Sequence, residues 1–263
     1  MLDITPPQPL LSLDPDLGQL LASERLTAAM RELRARVVTL QLGPWDPAEV
    51  CHGRDDNLLI VRGVVAREVC VHDAPSAELF GPGDVIRAGR VEATQQILPT
   101  AIRWSALGDA AVAAPDRHTT RALRGYPEVM TIVLDRLNAR AERLAVSQAI
   151  SQITGVETRL EMLLWHLAER WGRIGTAGVI VPVALSHRMF GSLVGARRPT
   201  VSTALARLVE ERRVTRRPDG SWLLTATEPP TFAPFDALGS RRLPAPPRAS
   251  TGIERPLPTT IAV

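Results

Sequence analysis

The side chains best suited to bind an anion lie between residues 185 and 217, where arginine is frequent. Eight arginines stand from Arg188 to Arg217 against two acidic residues, Glu210 and Glu211, whereas the whole chain has a formal net charge of only +3. The excess of base is therefore local, as expected for a surface that faces a phosphate backbone. Serine and threonine hydroxyls lie among these arginines, and such side chains contact base edges and phosphates in nucleic-acid complexes.

Two short helices joined by a tight turn are predicted to hold these side chains. Apolar residues recur at helical spacing: Phe190, Leu193 and Val194 on the first helix, and Val201, Leu205 and Leu208 on the second. Gly195 tolerates the positive φ of a sharp turn, and Gly191 leaves room for the helices to approach. Pro199 suits the first turn of the second helix, where its missing N–H costs little. The pattern predicts a helix-turn-helix.

A β-hairpin is predicted directly after the second helix. Residues 213–217 and 221–224 have the composition of two strands, and Pro218-Asp219-Gly220 has that of the turn between them. A hairpin in this place is a wing, so the segment predicts a winged helix-turn-helix that binds double-stranded DNA. The alternative is a helix pair and hairpin used only for packing, with the arginines facing solvent.

The candidate DNA contacts are the basic and hydroxyl side chains of these helices and the wing. They are His187, Arg197, Arg198, Thr200, Ser202, Thr203, Arg207, Arg213, Arg216 and Arg217. We expect Arg198, Ser202 and Thr203 to contact bases, because the N-terminal part of a recognition helix enters the major groove. Arg197, at the turn, and the two wing arginines are expected at phosphates.

A long helix is predicted upstream, from Tyr126 to about Ile153. Steps of four and three form a heptad seam of Met130, Leu134, Leu137, Ala141, Leu144, Gln148 and Ser151. A second apolar set lies off that seam: Val129, Ile132, Val133, Val146 and Ile150. We expect the seam to be a homodimer interface, because helix-turn-helix proteins usually recognise two half-sites as two-fold dimers. The alternative is an ordinary buried helix. Thr154-Gly155-Val156-Glu157 predicts a capping box at the start of a further amphipathic helix.

The N-terminal part predicts β structure. Short apolar or alternating segments recur at the spacing of a small sandwich or jelly roll: residues 37–42, 57–71, 76–80, 101–107 and 110–114. The expected fold class is α+β, with a β-roll over residues 1–120, a dimerisation helix over 121–153 and a winged helix-turn-helix over 154–227. The Pro-rich tail over 228–263 is predicted to be disordered.

This combination of segments resembles the Crp/Fnr family of bacterial transcription regulators. The similarity is specific in LVGARRPTVSTALARL and LEMLLWHLAERWG, and weaker in LFGPGDVIRAG of the roll. It implies a cytoplasmic homodimer that binds a near-palindromic operator and adjusts transcription, with RNA polymerase as a further partner. It also implies a small effector in the roll.

One departure from the family pattern concerns that effector. Cyclic-nucleotide binders of this family have a Gly-Glu pair for the ribose and an arginine for the cyclic phosphate. Here the corresponding stretch is Arg87-Ala88-Gly89-Arg90, and the arginine's place falls near Pro99 or Thr100. Without these charge-assisted contacts we do not expect cyclic AMP to bind. The effector stays unknown, and the alternative is a roll that serves only as a scaffold.

Other function classes find little support in the residues. The chain has no nucleophile–base pair, phosphate loop or metal cluster by spacing, so we expect neither an enzyme nor a cofactor; an enzyme or small-molecule-binding scaffold that borrowed the domain is the alternative. His52, His72 and His118 do not have metal-site spacing, and two cysteines cannot supply four thiolates. No run of about 18 apolar residues predicts a membrane span. The N-terminal residues lack a signal-peptide pattern.

Overall fold

The computed structural model describes residues 3–51, 57–88 and 98–226. The strands are β1 (Asp3–Ile4), β2 (Gln8–Pro9), β3 (Arg34–Leu40), β4 (Gly43–Trp45), β5 (Asn57–Arg62), β6 (Val65–Val71), β7 (Ala74–Phe80), β8 (Val85–Arg87), β9 (Thr100–Ala106), β10 (Ala110–Pro115), β11 (Arg173–Gly175), β12 (Gly178–Val181), β13 (Val214–Arg216) and β14 (Trp222–Leu224). The helices are α1 (Leu10–Leu13), α2 (Ser23–Glu32), α3 (Arg117–Ala122), α4 (Pro127–Gln152), α5 (Val156–Trp171), α6 (His187–Val194) and α7 (Arg198–Glu210). The predicted α+β class is confirmed. The tail at 228–263 lies outside the described residues.

Two antiparallel sheets form the N-terminal roll, as predicted. One has the order β1-β3-β10-β5-β8, with β2 also beside β3, and the other has the order β4-β9-β6-β7. Alternation along the strands directs apolar side chains between the sheets. The resulting core contains Val38, Leu40, Leu58, Ile60, Val65, Phe80, Ile86, Ala106 and Val112.

The segment at 57–71 forms two strands, β5 and β6, and they are separated at Arg62-Gly63, a dipeptide typical of a turn. Gly63, with φ of +77°, turns the chain between β5 and β6, and a Cβ there would lie 2.4 Å from the Asp109 carbonyl oxygen. The N-terminal helices α1 and α2 were not predicted. They pack with α4 around Leu10, Leu33 and Tyr126.

The long helix α4 begins and ends close to the predicted residues, with Pro127 in its first turn. The predicted capping box before α5 is wrong. The N-cap residue is Gly155, with φ of +95°, and no side chain caps the helix. Because α5 begins one residue later than a box at Thr154 requires, Glu157 falls at the second helical position and cannot close the pair.

The C-terminal part places α5, α6 and α7 against a four-stranded antiparallel sheet of order β11-β12-β14-β13. Its core contains Leu160, Leu164, Leu185, Phe190, Val201, Leu208 and Trp222. Phe190 and Trp222 meet edge to face, with ring centroids 5.4 Å apart. The hairpin of β11 and β12 was not predicted. Among the described helices, none is both long and apolar enough to cross a membrane.

Candidate DNA-binding surface

The turn between α6 and α7 has the geometry that its glycines predict. Ser186 caps α6 by accepting a hydrogen bond from the Met189 backbone N–H at 3.1 Å. The helix ends at Gly195, which is left-handed with φ of +67°. A Cβ on Gly191 would lie 2.4 Å from the Ala196 carbonyl oxygen. The two helices therefore meet through backbone, and α7 starts in a fixed place.

Helix α7 has one buried face and one exposed face. Val201, Leu205 and Leu208 are buried against α5 and α6, as predicted. Arg198, Thr200 and Thr203 are exposed on the opposite side, and Pro199 lies in the first turn. The exposed face carries hydrogen-bonding groups that could contact base edges in a major groove.

Two of the predicted contact residues also bind each other. His187 at the start of α6 places Nδ1 2.8 Å from Oγ of Ser202 on α7. The Ser202 hydroxyl donates to the Arg198 carbonyl oxygen at 3.0 Å, so it accepts a hydrogen from His187. Thr203 donates similarly to the Pro199 carbonyl oxygen at 3.3 Å. These bonds fix the hydroxyls on the exposed side of the motif.

The wing is a short hairpin of β13 and β14 with Arg216 opposite Trp222. Arg216 and Arg217 are both exposed, and the Arg217 Nη1 lies 3.6 Å from the Asp219 carboxylate. Hydrogen bonds from the Ser221 hydroxyl and backbone N–H lower the pKa of Asp219. The turn therefore keeps a negative charge beside Arg217, whereas the Arg216 side chain projects from the strand.

Two further predicted arginines are bound within the domain. Arg213 forms a two-point ion pair with Glu161 of α5, whose side chain is only 7% exposed, with Nε 3.1 Å from Oε1. Arg207 binds Glu157 at 2.9 Å on the surface. Arg213 thus ties the start of the wing to α5. Sequence spacing gave no sign of this pair, because Glu161 is 52 residues away.

The predicted seam on α4 is exposed along its length. Its six principal residues are all exposed: Met130, Leu134, Leu137, Ala141, Leu144 and Gln148. Of the second apolar set, Val129, Ile132 and Ile150 are buried and Val133 is half-buried. Val146 does not join them, because it turns to solvent and is 45% exposed. One face of α4 therefore packs on the roll side, while large apolar side chains stand exposed on another.

The roll contains a cavity of about 520 Å³ lined by Trp45, Trp104, Arg67 and Arg103 among others. Arg103 also lies 3.4 Å from the carboxylate of Glu68. Gly89, Arg90 and His52 lie outside the described residues, so the structure does not describe the predicted departure at Gly89-Arg90. Within the described ranges, no three His, Cys, Asp or Glu side chains are grouped as a metal site requires.

The chain thus combines a β-roll, a long helix with an exposed apolar seam and a winged helix-turn-helix. Residues 158–228 match the family model of the Crp-like helix-turn-helix domain. That segment is a Crp-like helix-turn-helix domain, and the predicted resemblance to Crp/Fnr-family regulators is confirmed.

Several solved structures share the fold over most of the chain. A CooA mutant from Carboxydothermus hydrogenoformans is 17% identical with a TM-score of 0.58, covering 86% of this chain and 94% of its own. The c-di-GMP responsive global regulator CLP of Xanthomonas campestris is 14% identical with a TM-score of 0.54, covering 78% and 100%. A CRP-family transcriptional regulator from Thermus thermophilus is 19% identical with a TM-score of 0.50, covering 72% and 89%. At these sequence identities, the structural similarity shows only that the fold is shared. No curated protein matches this chain.

Proposed function

We propose that this protein is a homodimeric, sequence-specific DNA-binding transcription regulator of the Crp/Fnr type. The observation that carries the proposal is the exposed face of α7, with Arg198, Thr200 and Thr203, beside an arginine-bearing wing in a Crp-like domain. A near-palindromic operator follows from two copies of this motif related by a two-fold axis. The protein acts on transcription with RNA polymerase, in the cytoplasm, and has no enzymatic role.

The homodimer is supported by the exposed apolar seam of α4. Leu134 is 58% exposed, and Met130, Leu137 and Leu144 are each at least 40% exposed. Large apolar side chains in a row at heptad spacing are typical of a surface that a second helix covers. The partner that fits this seam is the same seam of a second copy, because a two-fold interface uses the same surface on both subunits.

We further propose that any effector of the roll differs from cyclic AMP. The cavity beside Trp45, Trp104 and Arg67 is of a size that takes a small molecule, which supports an effector-bound roll. The alternative is a roll that acts only as a scaffold for α4.

Binding to duplex DNA at several salt concentrations tests the main proposal. Each phosphate neutralised releases condensed counterions, so affinity should fall with a log–log slope of about −0.9 per contact. We expect Arg216→Ala and Arg217→Ala to weaken binding to all sequences alike and to make the slope shallower by roughly that amount.

Arg121→Ala is the matched control, because Arg121 is also exposed but lies on α3 beside the roll. It should leave both affinity and slope as in the unmodified protein. A protein that binds duplex DNA without salt dependence, or not at all, would contradict the proposed function. A wing variant that changes base preference at an unchanged slope would contradict the phosphate role.

A further inference from the structure

A buried carboxylate of the roll holds the first helix of the helix-turn-helix. Glu68 lies on β6, and its side chain is only 4% exposed. Arg188 of α6 donates from Nη2 to both of its oxygens, at 2.9 and 3.2 Å. Ser192, one turn further along α6, donates its hydroxyl to the same carboxylate at 3.3 Å. The roll therefore holds two successive turns of α6 on one face.

Apolar packing continues across the same contact. Ala66 and Leu79, on β6 and β7, belong to one buried cluster with Phe190 and Val194 of α6, and Leu193 packs against that cluster. Apolar contacts are weakly directional, whereas a buried carboxylate needs its partners in a defined geometry. The apolar packing therefore holds α6 against the sheet, and Glu68 also fixes the orientation of α6 on it.

A second buried carboxylate fixes the roll to the long helix. Asp84, 7% exposed, accepts from the Gly81 backbone N–H at 2.8 Å and from Arg143 of α4 at 3.1 Å. Arg170 of α5 binds Oδ2, the oxygen that also accepts from Gly81. The roll is thus joined by directional contacts to α4 through Asp84 and to α6 through Glu68. Together these two contacts set the angle between the helix with the exposed seam and the helix-turn-helix.

That angle decides where two copies of α7 stand in a dimer. If α4 forms the two-fold interface, the separation and tilt of the two recognition helices depend on how each helix-turn-helix is held against its own α4. Half-site spacing in an operator mirrors that geometry, and neighbouring base pairs are about 3.4 Å apart along the duplex. A rotation of α6 on the roll that moved each α7 by a few ångströms would therefore favour a different half-site spacing.

We propose that Glu68 is a positioning residue for DNA recognition: through Arg188 and Ser192 it sets the half-site spacing that the dimer accepts, without touching DNA. The inference rests on the proposed function, since it requires a dimer that binds paired half-sites. Base preference within a half-site belongs to α7 and is independent of Glu68.

The chain offers a matched control for this role. Arg25 of α2 donates to both carboxylate oxygens of Glu128 on α4, at 2.8 and 3.0 Å. Arg25→Gln therefore breaks a two-point ion pair of the same kind but leaves the contact between the roll and α6 in place. Arg188→Gln breaks the ion pair with Glu68 at a residue whose side chain is 55% exposed, while the Ser192 hydrogen bond to Glu68 remains.

The experiment selects binding sites from duplex libraries in which two half-sites are separated by spacers of variable length. We expect the full-length unmodified protein to favour one spacing over its neighbours by about fivefold or more, comparable with the effect of one mismatched base pair. Glu68→Gln and Arg188→Gln should each reduce that preference severalfold while selecting the same half-site sequence. The double variant should match either single variant, because both changes break the same ion pair.

Each outcome bears on the proposal. Arg25→Gln should keep the spacing preference of the unmodified protein. Arg188→Gln with an unchanged spacing preference would overturn the inference even if Glu68→Gln failed to fold, and so would an altered half-site sequence. If the unmodified protein binds DNA but selects no paired half-sites, the inference and the dimer proposal both fail. If it binds no DNA, the proposed function itself fails.

Discussion

Arg197 and Arg198 are adjacent in the chain but stand in different backbone environments. Arg197 is the N-cap residue of α7, in an extended conformation with ψ of 146°, and Arg198 is the first helical residue. The side chain of Arg198 therefore starts from the end of the helix that a major groove receives, where arginine can bind guanine O6 and N7 in a bidentate manner. Arg197 starts from the turn, where we expect a phosphate contact instead.

Substitution of each arginine should separate base recognition from phosphate binding. Arg198→Ala should lose about 1–3 kcal/mol of binding free energy and relax the preference at one position per half-site. Arg197→Ala should weaken binding without changing the preferred sequence. The measurement is site selection followed by titration of the selected duplexes. An unchanged motif for Arg198→Ala, or a rewritten one for Arg197→Ala, would refute the assignment.

Two glycines of the motif should respond differently to an added methyl group. A Cβ on Gly191 meets the backbone of Ala196, whereas a Cβ on Gly195 meets nothing within 4 Å and only its φ of +67° is unfavourable. We expect Gly191→Ala to destabilise the protein by about 1–3 kcal/mol, as overpacked sites do, and to weaken DNA binding because the turn must open.

Gly195→Ala is the companion variant. It should cost about 1 kcal/mol of left-handed backbone strain and leave the helix contact intact. Urea unfolding with DNA titration compares the two, and the decisive quantity is binding by the folded variants. Full DNA affinity of folded Gly191→Ala would show that the close approach does not position α7.

The roles of these glycines can be predicted from neighbouring residues in the sequence, whereas the roles of the buried carboxylates Glu68 and Asp84 cannot. Gly191, Gly195 and Pro199 act on residues a few positions away, so spacing alone predicts their roles. Glu68 meets Arg188 across 120 residues, and Asp84 meets Arg170 across 86. Nothing in the local pattern of a strand distinguishes such an acidic residue from an exposed one, because the partner comes only with the tertiary fold.

Helix α4 is the element on which the proposed dimer depends. Its seam leaves Leu137 and Leu144 40% and 41% exposed, while its other face is buried. Covering such residues yields about 25 cal/mol for each Å² of apolar area removed from water. We expect Leu137→Glu combined with Leu144→Glu to give monomers by light scattering and to weaken DNA binding.

The control lies on the same helix. Asp135 is exposed and lies off the seam, so Asp135→Asn changes a charge without touching the apolar row. It should leave the dimer intact. Dimers that persist in the double glutamate variant with unchanged affinity would exclude this seam as the interface.

Long periodic elements could be predicted from the sequence, whereas short or weakly amphipathic elements could not. Helix α4 was placed well because 26 residues give a long periodic signal and Pro127 marks its start. Strands β11 and β12 were missed because each has only three or four residues and no turn sequence such as Pro218-Asp219-Gly220 stands between them. Helix α2 was missed because only Ala29 in it is buried, so it has little apolar face to detect.

At the scale of the whole molecule, His166 lies where α5 faces α4. Its side chain is 11% exposed, and its pKa is lowered from 6.5, chiefly by burial and also by the charges of Arg143 and Arg170, while Glu169 raises it. The folded protein therefore keeps this imidazole neutral at pH values where the unfolded chain takes up a proton. Where the unfolded state binds more protons, stability falls as the pH decreases.

We expect the free energy of unfolding to fall below about pH 6.5, by at most about 1.4 kcal/mol per pH unit from this group. His166→Gln should reduce that loss, as measured by urea unfolding at a series of pH values. Glu169→Gln removes the group that raises the pKa of His166, so it should extend the loss to lower pH. An identical pH dependence for His166→Gln and the unmodified protein would rule out this origin.

The apolar cluster that the roll shares with the helix-turn-helix limits how the two parts can be recombined in evolution. Ala66 and Leu79 of the roll, Ile150 of α4 and Phe190 of α6 belong to one buried core, so the boundary near residue 153 divides the sequence but not the interior. A chimera that joins this roll and α4 to a foreign DNA-binding domain would keep the junction near residue 153. It would nevertheless lose the residues of α6 that pack against Glu68 and Leu79. Recombination at that boundary is therefore constrained, and the roll and its DNA-binding domain must be inherited as a matched pair.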